Sequence, residues 1–356
     1  MKHIAIICNY KLMPERVGGM DYFYKQYNSA LIEKDFKVEW FFSGGKSFSF
    51  YKDFQLFFAE NESVEEKFLK ETYNKKYDII ITHFTEICSR YYKIFKTVYP
   101  NANIIAVDHN PRPVEGYPLI IKIKKRIKGW LYSRFIDQFI AVSNYSKDHL
   151  MHDFGKHIRN RIEVILNGID VEQYEKKISY KNNNRFIVAC HLRKQKGVEY
   201  VISAVHRIHS QLKYDFRVDI YGEGPEEEEL RNLVREYSLD DKINFKGSVD
   251  NLPQIYKNYD YLIHPSLGET YCYSVVEALL VGLPVITTKN AGNVLKFVKE
   301  EQNGFLFEEK DVKKLSQILL NICNDSISID NHSIEKVILP NFSLKRMVEN
   351  HVNIVR

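Results

Sequence analysis

No apolar stretch of the chain approaches the ~18 residues that mark a membrane-spanning helix, so no span is expected. Cysteine is sparse: Cys8, Cys88, Cys190, Cys272 and Cys323 are the only five, scattered without metal-ligand spacing. An odd, dispersed set fits reduced thiols of the cytosol rather than a disulfide framework, and it offers no zinc site. There is no strict Asp-x-Asp and no GxGxxG fingerprint, so neither a metal nor a nicotinamide cofactor gains support. Charge of one sign is also lacking. A net +5 at pH 7 is too mild to imply nucleic acid. The opening "MKHIAIICNY" turns polar too soon for a signal peptide and reads as a strand. No internal repeat of short period is evident.

What is present is the rhythm of an α/β protein. A length of 356 residues suggests two domains. With 24 Tyr and 22 Phe, large cores are within reach. Short apolar runs at 3–8, 37–42, 77–82, 103–108, 138–143 and 162–166 read as strands. Helical patterns near 20–33, 86–98, 119–134 and 145–154 separate them. The rhythm then restarts, with strands at 185–191, 217–222, 242–247, 259–265, 284–288 and 304–307 and helices near 198–210, 226–237, 271–281 and 311–323. Strands spaced by helices imply right-handed βαβ units and parallel sheets. The expected organisation is a Rossmann-like domain over 1–172, a polar linker over 173–184 and a second Rossmann-like domain over 185–340. A final helix within 341–356 is able to pack on either domain.

The stretch "GETYCYSVVEALLVGLPV" (268–285) poses a problem of charge. Glu277 sits in a helix that is apolar nearly all round, hence buried, and a carboxylate there is costly without a partner. Glu269 lies eight residues earlier, in a loop at the carboxyl end of strand 259–265, where open parallel sheets place ligands. The helix starting near Tyr271 or Cys272 would point free amides at an anion. Two readings follow. Either Glu277 is paired with a neighbouring Lys or Arg and Glu269 is merely solvated, or both carboxylates accept from ligand hydroxyls.

Glu269-x7-Glu277 followed by "ALLVGLPVITTKNAG" resembles the signature of retaining GT-B-fold glycosyltransferases of family 4, the glycosyl transferases group 1. "VGGM" (17–20), "LNGID" (166–170), "HLRKQKG" (191–197), "YGEGPE" (221–226), "NFKGSV" (244–249) and "NGFLF" (303–307) follow the family's order over nearly the whole chain. The resemblance implies a GT-B fold of two Rossmann-like domains facing across a cleft. It implies that Glu277 holds the nucleotide ribose and that Glu269 holds hydroxyls of the transferred sugar. The amides of Thr270, Tyr271, Cys272 and Tyr273 would help bind sugar and phosphate. Cys272 stands where the family often has glycine, which alters the room around the sugar. Lys196 matches the family lysine on the diphosphate. The family arginine is replaced here by His191, with Arg193 two residues on as the substitute. Gly18 and Gly19 would let the backbone approach phosphate or sugar. Gly222 would border the nucleotide, and Val249 marks where the family places the base. His109, ending strand 103–108, matches the family histidine on the donor sugar, with a role in sugar orientation and charge support. The glutamates of "EEEE" (226–229) fit the first turn of a helix instead.

One stretch points elsewhere. In "PLIIKIKKRIKGWLYSRF" (118–135), Ile120, Ile123, Ile127 and Trp130/Leu131 recur at helical spacing among Lys122, Lys124, Lys125, Arg126, Lys128 and Arg134. Such a helix docks on anionic lipid, or its apolar stripe faces the core beneath a solvated basic face.

The reading at this stage is an α/β, GT-B enzyme without metal or cofactor. It transfers a hexose-type sugar, with retention, from a nucleotide diphosphate sugar, UDP-sugar ahead of GDP-sugar. The acceptor is a saccharide or lipid-linked saccharide of bacterial polysaccharide or glycolipid synthesis. The expected place is the cytoplasm, peripheral on the inner membrane face. The alternatives are a sugar-nucleotide epimerase or hydrolase on the same fold, and an inactive nucleotide-sugar-binding scaffold.

Overall fold

The computed structural model describes the chain except residues 15–16, 111, 114–115, 179–180, 212–214, 250, 269–270, 290–296, 330–333 and 335–341. It divides into two compact units. The first comprises Met1–Asn110, Gly116–Gly168 and Ser343–Arg356, and the second Pro111–Glu115 and Ile169–Phe342.

The first unit holds a parallel sheet of β1 (His3–Leu12), β2 (Lys37–Gly45), β3 (Gln55–Phe58), β4 (Ile79–His83), β5 (Asn103–Asp108), β6 (Gln138–Ala141) and β7 (Ile162–Val164). The strand order is β3-β2-β1-β4-β5-β6-β7. Its helices are α1 (Gly19–Ile32), α2 (Val64–Thr72), α3 (Arg90–Val98), α4 (Leu119–Tyr132), α5 (Asn144–Phe154) and α11 (Leu344–Ile354), the last arriving from beyond the second unit. β1 shows why its sequence is apolar without alternation. Ile4, Ile6 and Cys8 enter one core with Phe23, Tyr27, Met347 and Val352, while Ala5 and Ile7 enter another with Phe68 and Phe95. A parallel strand covered on both faces needs apolar side chains at every position.

The second unit repeats the plan with β8 (Arg185–Ala189), β9 (Arg217–Tyr221), β10 (Ile243–Gly247), β11 (Tyr261–His264), β12 (Val285–Thr288) and β13 (Gly304–Phe307), in the order β10-β9-β8-β11-β12-β13. Between them run α6 (Val198–Ile208), α7 (Glu227–Glu236), the short α8 (Leu252–Ile255), α9 (Tyr273–Val281) and α10 (Val312–Cys323). Strand order reverses between β8 and β11, the switch point at which doubly wound sheets open a crevice.

The two parallel sheets match the expected fold class, but β3 and α2 fall where the sequence reading placed no element. β3 is an edge strand of half-buried residues in an aromatic-rich run with no clear period. α2 did carry a readable start. Ser63 accepts from the Glu66 amide at 3.2 Å and Glu66 accepts from the Ser63 amide at 3.2 Å, the reciprocal box that S-x-x-E announces.

α4 is held at its glycine. A Cβ at Gly129 would stand 2.1 Å from the Phe154 carbonyl oxygen, so only glycine lets α4 lie on the end of α5. Backbone cannot step aside as a side-chain tip can. Gly129→Ala is therefore expected to destabilise the protein by about 1–3 kcal/mol, the usual cost of overpacking. Urea unfolding checks this; a midpoint equal to that of the parent protein would show that α4 is free to shift.

Candidate active site

Loops at the carboxyl ends of β8, β9 and β11 enclose a cavity of about 470 Å³ in the second unit. Its lining includes His191, Lys196, Gly222, Val249, Tyr271, Cys272, Tyr273 and Glu277, all singled out in the sequence. Gly222, just after β9, has φ +119°, and a Cβ there would stand 1.9 Å from the Cys190 carbonyl oxygen. Two loops thus touch backbone to backbone at the cavity floor, which no other residue permits. The turn bearing Lys196 is tied to the loop after β11. The Gln195 carbonyl accepts from the Leu267 amide at 2.8 Å and from Ser266 Oγ at 3.2 Å. That loop leads to α9, whose N-cap Cys272 makes no side-chain cap hydrogen bond. Lys196 and the end of α9 therefore line one space, and both favour an anion.

Glu277 is half-buried and lies in the second turn of α9. Burial raises its carboxyl above the usual range, against the hydrogen bonds of Tyr256 and Tyr174. Tyr256 donates to Oε2 at 2.8 Å from a fully buried phenol. Among the described residues no lysine or arginine pairs with Glu277, so of the two readings the ion pair fails. The partners are tyrosine hydroxyls, whose own ionisation burial and the carboxylate suppress. Neutral donors hold the carboxylate in place without supplying a positive charge.

Tyr271 is buried against the same cavity, and its hydroxyl has no hydrogen-bond partner among the described residues. Cys272 Sγ lies 3.0 Å from His264 Nε2, and His264 Nδ1 lies 3.1 Å from Thr287 Oγ1. The thiol that replaces the family glycine is thus drawn toward the sheet by a buried histidine.

Other expected residues are placed differently. Arg193 is exposed and does not line the cavity, whereas His191 does. Glu269 and Thr270 lie outside the described residues. Gly18, the N-cap of α1, and Gly19, its first residue, belong to the first unit, as does His109. Sequence reasoning missed Tyr174 and Tyr256, since nothing in an isolated tyrosine announces that it faces a carboxylate 21 positions or more along the chain.

His109 is buried, stacks on Phe84 at 4.4 Å between ring centroids, and meets His83 Nδ1 with its Nε2 at 3.0 Å. His351 of α11 stands 6.3 Å from the His83 ring. Burial, and then the proximity of His351, push the His109 imidazole down to about 3. Burial alone does the same to His351, and burial, with the proximity of His109 and His351, holds His83 well below the usual range. A ring so placed favours its uncharged form at neutral pH, which suits it to orienting a partner by hydrogen bonding.

Against known families, residues 170–336 match the model described as glycosyl transferases group 1, and residues 20–173 match glycosyltransferase family 4. The chain's two halves thus resemble glycosyltransferase families, and its fold is GT-B. The structure of Anabaena HepE in complex with UDP-glucose is similar over 100% of this chain and 99% of that one, at a TM-score of 0.76 and 18% identity. The GtfA subunit of the Streptococcus pneumoniae UDP-N-acetylglucosamine–peptide N-acetylglucosaminyltransferase is 26% identical over 172 residues, 48% of this chain and 34% of that protein. The Escherichia coli UDP-Gal:α-D-GlcNAc-diphosphoundecaprenol α-1,3-galactosyltransferase is 28% identical over 203 residues, 53% of this chain and 52% of that one. The chain thus spans about half the length, or less, of the curated relatives it matches.

The buried histidines make stability depend on acid. Their native values lie far below the ~6.5 of an unfolded histidine, so the unfolded chain binds more protons between the two. Stability is complete above about pH 6.5 and falls as pH drops from there toward 3, by on the order of 1 kcal/mol per pH unit for each histidine. Urea midpoints at stepwise lower pH read this directly. His351→Gln should flatten the slope, and an unchanged slope would mean that the rings take up protons without opening the core.

Proposed function

We propose that this protein is a glycosyltransferase that moves a hexose-type sugar, with retention, from a UDP-sugar to a saccharide or lipid-linked saccharide. The observation that carries the reading is the cavity in which Lys196 and the N-terminal end of α9 meet a carboxylate held by two tyrosines. The choice of uridine rests on the relatives, whose names specify UDP-linked sugars.

Each group has a role of its own. Lys196 and the first-turn amides of α9 take up negative charge as the diphosphate leaves, a fixed electrostatic contribution of the oxyanion-hole kind. His191 adds a polar edge to that wall, in place of the family arginine. Glu277, oriented by Tyr256 and Tyr174, accepts from the ribose diol. The unpartnered Tyr271 hydroxyl supplies a further contact for a polar ligand. Gly222 and Val249 flank the base. Glu269, with Thr270, engages the hydroxyls of the transferred sugar, and neutral His109 orients that sugar. Neutralisation by lysine and amides does the work that a metal ion does elsewhere, so the reaction is proposed to need none. The setting we favour is bacterial polysaccharide or glycolipid synthesis.

Thermal unfolding with UDP, GDP, dTDP, CMP and ADP tests the donor. A nucleotide at ~100 times its dissociation constant stabilises by about 2.7 kcal/mol. UDP alone is expected to give that shift, and Glu277→Ala to abolish it, with Glu277→Gln, which keeps the volume, losing most of it. Lys196→Ala should lower kcat by about 10²–10³-fold, the loss typical of one charge-stabilising donor. Product analysis without acceptor guards the reaction class, since free or epimerised sugar at the rate of transfer would sink the transferase reading. No shift with any nucleotide at millimolar concentration would remove Glu277 from the ribose.

A further inference from the structure

α4 is built inside out. A helix lying on a globular core turns its apolar stripe inward. Here Leu119 and, spaced three or four apart, Ile120, Ile123, Ile127 and Trp130 are the exposed ones, with Leu119 and Trp130 about three-quarters accessible (74% and 75%). The face that meets the protein is mixed: Ile121 and Leu131 are half-buried and Tyr132 packs against the core, among polar contacts. Lys125 pairs with Asp153 at 3.3 Å and lies over the rings of Tyr117 and Phe154, Lys128 pairs with Glu86 at 2.5 Å, and Gly129 abuts Phe154. The stripe expected to face the core is therefore exposed instead, beside basic residues that are exposed as well. Lys122, Lys124 and Arg126 are exposed and have no ion-pair partner among the described residues. Beside the stripe, Ile127, Trp130 and Phe154, with Arg126, Lys156 and His157, line a hollow of about 420 Å³.

We infer that this face of α4 is a docking surface for an anionic lipid bilayer. The segment 119–132 carries five cations and no acid, and its free cations are interleaved with large apolar side chains. An anionic bilayer answers both at once, with headgroups for the cations and acyl boundary for Ile123, Ile127 and Trp130. Tryptophan is the side chain most at home at that interface. Fourteen residues make a helix about 21 Å long at ~1.5 Å per residue, too short to span a membrane, so it lies in the plane. A second copy of the same face fits poorly, because it would set cations against cations. The cations and isoleucines at the surface are separate from the groups assigned to the donor, so the inference does not depend on the transfer reaction.

Flotation of the whole protein with phosphatidylcholine vesicles, with and without phosphatidylglycerol, tests it. Binding is expected with the anionic vesicles, at least about tenfold above the neutral ones, and to fall several-fold in high salt. Each of Lys122→Gln and Lys124→Gln should weaken it about fivefold, and Ile123→Ser with Trp130→Ser should abolish it while leaving the UDP-induced thermal shift unchanged. The chain has two tryptophans and Trp40 is buried, so a blue shift in emission on adding anionic vesicles reports Trp130. Equal binding to neutral vesicles, binding unmoved by the Ile123/Trp130 variant, or no flotation would each overturn the inference. So would sedimentation as a dimer that Trp130→Ser dissolves, since the occupant would then be another copy.

Discussion

The arrangement of the second unit turns on one carbonyl. Gln195 accepts from both Leu267 and Ser266, and so ties the turn after β8 to the loop after β11. Without that tie, Lys196 would be a long cation on a flexible turn, and its position relative to α9 would cost entropy whenever an anion arrived. With it, the lysine stem starts from a fixed point, and the helix end and the ammonium are set before any ligand enters. The strand order supplies the opening, because β8 and β11 are the neighbours from which the chain departs in opposite directions. The Gly222 contact with Cys190 closes the floor beneath it.

Glu277 shows how such a site keeps a carboxylate buried. Burial works against its charge, and a lysine beside it would remove that penalty. A lysine would also satisfy the carboxylate so well that little would remain for a ligand. Two phenols are a compromise. They fix the side chain and lower the penalty, yet leave it acceptor capacity to offer to hydroxyl donors. The neutral histidines of the first unit follow a related logic. His83 and His109 are polar enough to hydrogen-bond with each other, and with His351 they favour uncharged rings in a core already dense in aromatic rings.

Much of this was legible in the sequence, for reasons that can be named. Strands buried on both faces are unbroken apolar runs, so β5 and β12 could be read almost to the residue, and β1 at its start, although it runs four residues past the apolar run. A lone glutamate in an apolar helix is conspicuous, and it led to the cavity. What escaped depends on contacts between distant residues. Nothing local to Tyr256 or Tyr174 marks them as the partners of Glu277. Arg193 and His191 differ by two positions, and only the path of the backbone decides which lines the cavity. The stripe of α4 was visible as a period, but its direction was not, because periodicity reports that a helix has two faces and is silent on which one the fold uses. Gly129 was the signal that could have decided it, being the small residue on the face opposite the isoleucines.

The return of α11 has a consequence for how the protein is made. Leu344, Met347, Val348, Val352 and Val355 are buried in the same core as Ile4, Phe23 and Trp40, although more than 300 residues separate the two ends of that core in the chain. On the ribosome, the first sheet emerges long before the helix that covers it. Its aromatic-rich face must therefore wait uncovered, or be shielded by a chaperone, while the entire second unit is synthesised. The second unit has no such wait, since its strands and helices are contiguous in sequence. The order of completion is thus the reverse of the order of synthesis: the domain begun first is the last to be finished.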